Sequence, residues 1–127
     1  MTERGEQDNG TRAAVEIIGR VAAVRPTGEI DIATAPSLRR ALAEALGLVR
    51  ASRADRIVTD CSAMTFCDSS GLNALLAARQ EAAKANVEIH LANPAPQFQR
   101  LLQISGADSL FPKEDDPPAC ARPTGGA

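Results

Sequence analysis

Cys67-Asp68-Ser69-Ser70-Gly71-Leu72 is the stretch from which the rest of the chain can be placed. Ahead of it, Arg56-Ile57-Val58-Thr59-Asp60-Cys61 is a β-branched run of buried-strand type, and Ser62-Ala63-Met64-Thr65-Phe66 reads as the turn leading in. Behind it, Leu72, Leu75, Leu76 and Ala83 are expected on the inward face of a helix from about Ser69 to Ala85. The hexapeptide is therefore a strand-to-helix junction. A helix start carries N–H groups without intrahelical partners and a partial positive charge, so it can hold an anion. Asp68 suits the N-cap, and capping alone is worth ~1 kcal/mol and implies no function. Two features go beyond capping. Asp68, Ser69 and Ser70 are more capping residues than one helix end can use. Gly71 falls inside the first turn, where it costs ~1 kcal/mol relative to Ala; its missing side chain is expected to let another surface approach the backbone.

Downstream, Val87, Ile89 and Leu91 alternate with Glu88 and His90, which is strand periodicity. Asn93-Pro94-Ala95-Pro96 opens a third helix with Phe98, Leu101, Leu102 and Ser105 on its inner side, and Gly106 suits the left-handed position after it. Ala107 to Phe111 is expected as a last short turn or strand, ended by Pro112. Upstream, Ala13–Ile18 and Val21–Arg25 are β-prone runs joined by Gly19-Arg20, which predicts a hairpin whose second strand ends at Pro26. Thr27 to Asp31 reads as a loop entering a helix, with Thr34 as N-cap and Pro36 in the first turn. Leu38, Ala41, Leu42, Ala45, Leu46 and Val49 then mark one apolar helical face.

The order is hairpin, then helix–strand–helix–strand–helix. It predicts an α/β domain over residues 13–112: a mixed sheet of four to five strands, an N-terminal antiparallel hairpin, and helices mainly on one face. Residues 1–12 and 113–127 lack periodicity and read as a disordered head and tail. The loops Gly28–Thr34, Ser62–Ser69 and Asn93–Pro96 should meet at the carboxyl ends of the parallel strands, where sites in such sheets usually lie.

Several function classes are disfavoured. A chain of 127 residues with net charge −2 and intermixed acids and bases lacks the basic face that nucleic acid requires. No apolar run approaches the ~20 residues of a membrane span, and the N-terminus lacks a signal-peptide pattern, so a cytoplasmic protein is expected. Three cysteines without CxxC spacing and one histidine offer no zinc site, and the thiols are expected to be reduced. A redox role for Cys67 is disfavoured, as is a serine hydrolase: the one histidine, His90, sits in a strand with no route to Ser69. No enzyme activity is expected.

Gly28-Glu29-Ile30-Asp31, Thr34, Phe66-Cys67-Asp68-Ser69-Ser70-Gly71-Leu72, and Ser105-Gly106 before Leu110-Phe111 together resemble the STAS domain of bacterial anti-sigma-factor antagonists. The resemblance runs from about Val15 to Pro112. It implies that Ser69 is a phosphoacceptor, and that Asp31, Thr34, Asp68, Ser69, Ser70, Gly71 and Leu72 belong to a partner-binding surface. The implied partners are an anti-sigma factor that is a serine kinase and a serine phosphatase that resets the cycle. The unphosphorylated form would bind the kinase and free a sigma factor, and phosphorylation would release it. No cofactor is implied, because the kinase supplies nucleotide and Mg²⁺. Pro26, Cys67 and Asn73 depart from the common pattern. The alternative is a STAS module that binds a nucleotide or small ligand, or that serves as a scaffold in a stress-signalling assembly.

Overall fold

The computed structural model describes residues 13–114; the head at 1–12 and the tail from 115 onward lie outside the described residues. Strands β1 (Ala13–Ile18) and β2 (Val21–Pro26) come first, followed by β3 (Gly28–Ile30) and helix α1 (Ala35–Arg50). Next are β4 (Arg56–Asp60), β5 (Met64–Cys67) and α2 (Ser69–Lys84). The chain continues through β6 (Ile89–Ala92), α3 (Pro96–Ser105), a 3₁₀ turn (Asp108–Leu110) and β7 (Lys113–Glu114).

The hairpin forms as expected. β1 and β2 pair antiparallel, Gly19 takes φ +62° in the turn, and Pro26 is the last residue of β2, opposite Ala13. The main sheet has the order β1-β2-β4-β6-β7, and every pairing after the hairpin is parallel. α1 buries Leu38, Ala41, Leu42, Ala45 and Leu46, the stripe that its periodicity marks. These residues share one aliphatic cluster with Leu72 and Leu75 of α2, Phe98 and Leu102 of α3, and Val24, Ile57, Ile89 and Leu91 of the sheet. All three helices therefore cover one face. Because side chains alternate along a strand, the other face carries Glu16, Arg25, Arg56, Asp60, His90 and Glu114. They form a charged ladder: Arg25 pairs with Glu16 and Asp60, and Glu114 accepts from Arg56 at 2.6 Å and meets His90 Nδ1 at 2.7 Å. The second ring nitrogen of His90 lies 3.2 Å from Glu88, so the histidine is held on that ladder. Among the described residues, no helix is long and apolar enough to cross a membrane.

Five local expectations are corrected. Gly28–Ile30 is a strand rather than a loop, and Met64–Cys67 is a strand rather than a turn. They form a separate two-stranded parallel pair, with Gly28 N–H donating to Ala63 O at 3.0 Å. Such short pieces have no periodicity of their own; each is extended because the other pairs with it. On α2, Ala82 is buried and Ala83 exposed, so the inward stripe reaches one residue earlier than expected. Ser105, expected on the inner side of α3, is exposed. Lys113 and Glu114, expected in the tail, form a short edge strand beside β6.

Candidate functional site

The junction between β5 and α2 is built from three segments. Asp68 follows β5 in extended backbone (φ −100°, ψ −169°), and its carboxylate accepts from Ser70 N–H at 2.8 Å, which is the N-cap bond. Asp68 N–H donates to Ile30 O at 3.1 Å, which brings the end of β3, and hence Asp31, alongside. From the third segment, Gln97 at the start of α3 brackets Cys67. Its Nε2 donates to Cys67 O at 2.8 Å, and its Oε1 accepts from Cys67 N–H at 2.9 Å.

The capping excess visible in the sequence resolves into a division of labour. Asp68 caps the helix. Ser69 is exposed, and among the described residues its hydroxyl has no hydrogen-bond partner. Ser70 is half-buried and gives its N–H to the cap.

The loop after β3 is closed on itself. The Asp31 carboxylate accepts from Ala33 N–H at 3.0 Å and Thr34 N–H at 3.2 Å. The Thr34 hydroxyl donates to Glu29 O at 2.9 Å and accepts from Asp31 N–H at 2.9 Å. Thr34 does occupy the N-cap position of α1, but its side chain makes no capping bond, because its hydroxyl is spent on the loop behind it. Asp31 is half-buried at the rim, whereas Thr34 and Leu72 are 7% and 4% exposed and Gly71 is buried. Those three therefore belong to the interior of the turn rather than to its exposed surface.

At Gly71 the expected close approach to the backbone is present. A Cβ there would lie 2.5 Å from Cys67 Sγ and 2.8 Å from Ile30 Cγ2. The surface that approaches it is the chain's own interior, formed by Cys67 and Ile30. Burial, reinforced by the Asp68 charge, pushes the Cys67 thiol up to about 12; burial, with Cys67 and Asp60 nearby, does the same to Cys61. Both are inert apolar fillers at neutral pH.

Two exposed apolar side chains beside the junction were not picked out from the sequence. Ile32, between Asp31 and Thr34, is 80% exposed, and Phe66, on β5 beside Cys67, is 41% exposed. Glu29 pairs with Phe66 and Ile30 with Cys67, so Phe66 and Glu29 face outward while Ile30 and Cys67 face inward. The alternation that exposes Phe66 was hidden because residues 62–66 read as a turn. Gln97 carries no local signal at all; only the packing of α3 reveals its role.

A single domain with this topology, and with a helix opening on Asp-Ser-Ser-Gly, defines a recognisable class. The STAS domain family matches residues 12–117, and the chain belongs to that family. Among solved structures it is similar to an anti-sigma factor antagonist from Mycobacterium paratuberculosis. That likeness has 33% identity and TM-score 0.65 and covers 80% of this chain and 82% of the other. The fold is shared with the anti-sigma factor antagonist SpoIIAA in its unphosphorylated form, at 22% identity and TM-score 0.65, over 81% of this chain and 88% of that one. It is shared also with the Bacillus cell fate determinant SpoIIAA in its phosphorylated form, at 24% identity and TM-score 0.60, over 81% and 91%. A STAS-domain containing protein of Pseudomonas aeruginosa (strain UCBPP-PA14) is 41% identical over 56 residues, which is 44% of this chain and 55% of that protein's length.

Proposed function

We propose that this chain is a cytoplasmic anti-sigma-factor antagonist switched by phosphorylation of Ser69. The observation that carries the reading is the division of labour at the junction: Asp68 does the capping, and Ser69 presents a free, exposed hydroxyl at the mouth of α2. It is supported by SpoIIAA, which shares the fold and occurs in unphosphorylated and phosphorylated forms, and by the mycobacterial relative, an anti-sigma factor antagonist.

The chemistry is supplied by a partner. Ser69 Oγ attacks the γ-phosphorus of ATP held by an anti-sigma serine kinase, the bond to ADP breaks, and the hydroxyl proton passes to a base of that kinase. A serine phosphatase reverses the state by hydrolysis. The product carries about −1.5 to −2 charges at neutral pH. At the start of α2 the fold tolerates them, because helix-start N–H groups and the dipole face them. The docking face does not. Ile32 and Phe66 provide exposed apolar area beside Asp31 and Asp68. A partner that covers this face, apolar at its centre and basic at its rim, would have to desolvate a dianion.

Incubation with Mg·ATP and each purified anti-sigma serine kinase of the producing organism, followed by mass spectrometry, tests the reading. Phosphate confined to Ser69 supports it; no phosphate, or phosphate elsewhere, refutes it. A ligand-binding module is the second reading. It is favoured by a cavity of about 260 Å³ between α1 and α2, lined by Leu42, Leu46 and Ala74 with Arg39 and Arg50. Saturable nucleotide binding without transfer would select it.

A further inference from the structure

We propose that Gln97 is a positioning residue for Ser69, a claim that rests on the phosphoacceptor reading above. β5 has a strand neighbour, β3, on one side only. On the open side, the N–H and C=O of its last residue, Cys67, both go to the Gln97 side chain, at 2.9 and 2.8 Å. That is the pair of bonds a residue exchanges with its opposite number in an antiparallel ladder. One side-chain amide thus replaces a missing strand at the residue where the sheet hands over to the Ser69 turn.

The consequence is geometric. From Cys67 to Asp68 the backbone is held by three elements: Gln97 of α3, Ile30 of β3, and Leu72 of α2, whose N–H donates to Asp68 O at 3.1 Å. Ser69 itself has no side-chain partner among the described residues, so its position is inherited from this bracket. In-line attack on phosphorus needs the hydroxyl held close to a near-attack geometry, and a displacement of ~1 Å can cost on the order of a hundredfold in rate. Gln97 touches neither phosphate nor nucleotide; it acts through the backbone it holds. Asn is one methylene shorter and would not span the same gap. Glu has the same length, but its carboxylate only accepts, so it keeps the Cys67 N–H bond and repels Cys67 O until it is protonated.

The test compares Gln97→Ala, Gln97→Asn and Gln97→Glu with wild type as substrates of the kinase that modifies Ser69. Gln97→Ala and Gln97→Asn are expected to lower kcat about tenfold with KM within about twofold of wild type, because the docking face is intact while the hydroxyl is loosened. Gln97→Glu should match Gln97→Ala at about pH 8 and, compared with wild type at each pH, move toward wild type as pH falls to about 4, where the carboxyl regains a donor. An unchanged kcat, a change in KM alone, or no recovery of Gln97→Glu in acid overturns the proposal. Amide hydrogen exchange separates this failure from failure of the functional reading. The Ser70 N–H is bonded to Asp68 and not to Gln97, so faster exchange there in Gln97→Ala, with exchange in β4 unaltered, reports a loosened turn. Unaltered exchange at Ser70 overturns the positioning role even if the wild type takes up no phosphate.

Discussion

A methyl group at Gly71 would be driven to 2.5 Å from Cys67 Sγ and 2.8 Å from Ile30 Cγ2, well inside contact distance. Two effects oppose each other in Gly71→Ala. Helix propensity favours Ala by ~1 kcal/mol, and overpacking of a filled core costs about 1–3 kcal/mol. Neither neighbour is the far end of a flexible side chain, so overpacking wins. Urea unfolding should show Gly71→Ala less stable than wild type by about 1–2 kcal/mol, with a smaller loss on a Cys67→Ala background. A stabilised Gly71→Ala would show that the junction is loosely packed. Ser69 is the opposite case: Ser69→Ala should change stability by no more than about 0.5 kcal/mol while removing phosphate uptake. From sequence, Asp68 is legible as a cap because capping is local chemistry, and Gly71 is legible as a close approach. What approaches it is not legible, because Ile30 lies some forty residues away along the chain.

Elements differ in how far they can be read ahead of the structure, and the reason is length. α1 carries an apolar stripe over several turns, and the periodicity names its buried residues. β3 and β5 have three and four residues, and their state depends on pairing with each other. The β3–α1 loop is the element that tests best. Thr34→Val removes a hydroxyl that both donates to Glu29 O and accepts from Asp31 N–H. Leaving those groups unpaired should cost about 1–3 kcal/mol in chemical unfolding, and Thr34→Ser should recover most of it. A neutral Thr34→Val would mean that water serves the loop equally well. The core thiols give a pH prediction. Their folded values, about 12, stand above the ordinary 9.0, because burial disfavours the thiolate. A group raised in the folded state contributes stability in full below its unfolded value and loses it as pH climbs toward the folded one. Thermal stability should therefore fall as pH rises above about 9, less steeply in Cys61→Ala/Cys67→Ala. Native Cys61 and Cys67 should resist alkylation at about pH 8.

At the scale of the molecule, the helices and the aliphatic cluster seal one face of the sheet, and the charged ladder occupies the other. The β5–α2 junction brings β3, α2 and α3 together around one exposed hydroxyl. The membership of the chain in its family was legible because the motif residues keep their spacing; the Gln97 bracket was not, because no local pattern marks it. On the proposed function, a dianion on Ser69 changes association and leaves the fold alone. A penalty of ~3–4 kcal/mol corresponds to a few hundred-fold in affinity. The direct measurement is calorimetric binding of the phosphorylated and unphosphorylated chain to the kinase that modifies it, with thermal unfolding of both forms alongside. A few hundred-fold weaker binding at a nearly unchanged Tm is the predicted result. Equal affinities, or a phosphorylated form that unfolds, would show that Ser69 is not a switch at the interface.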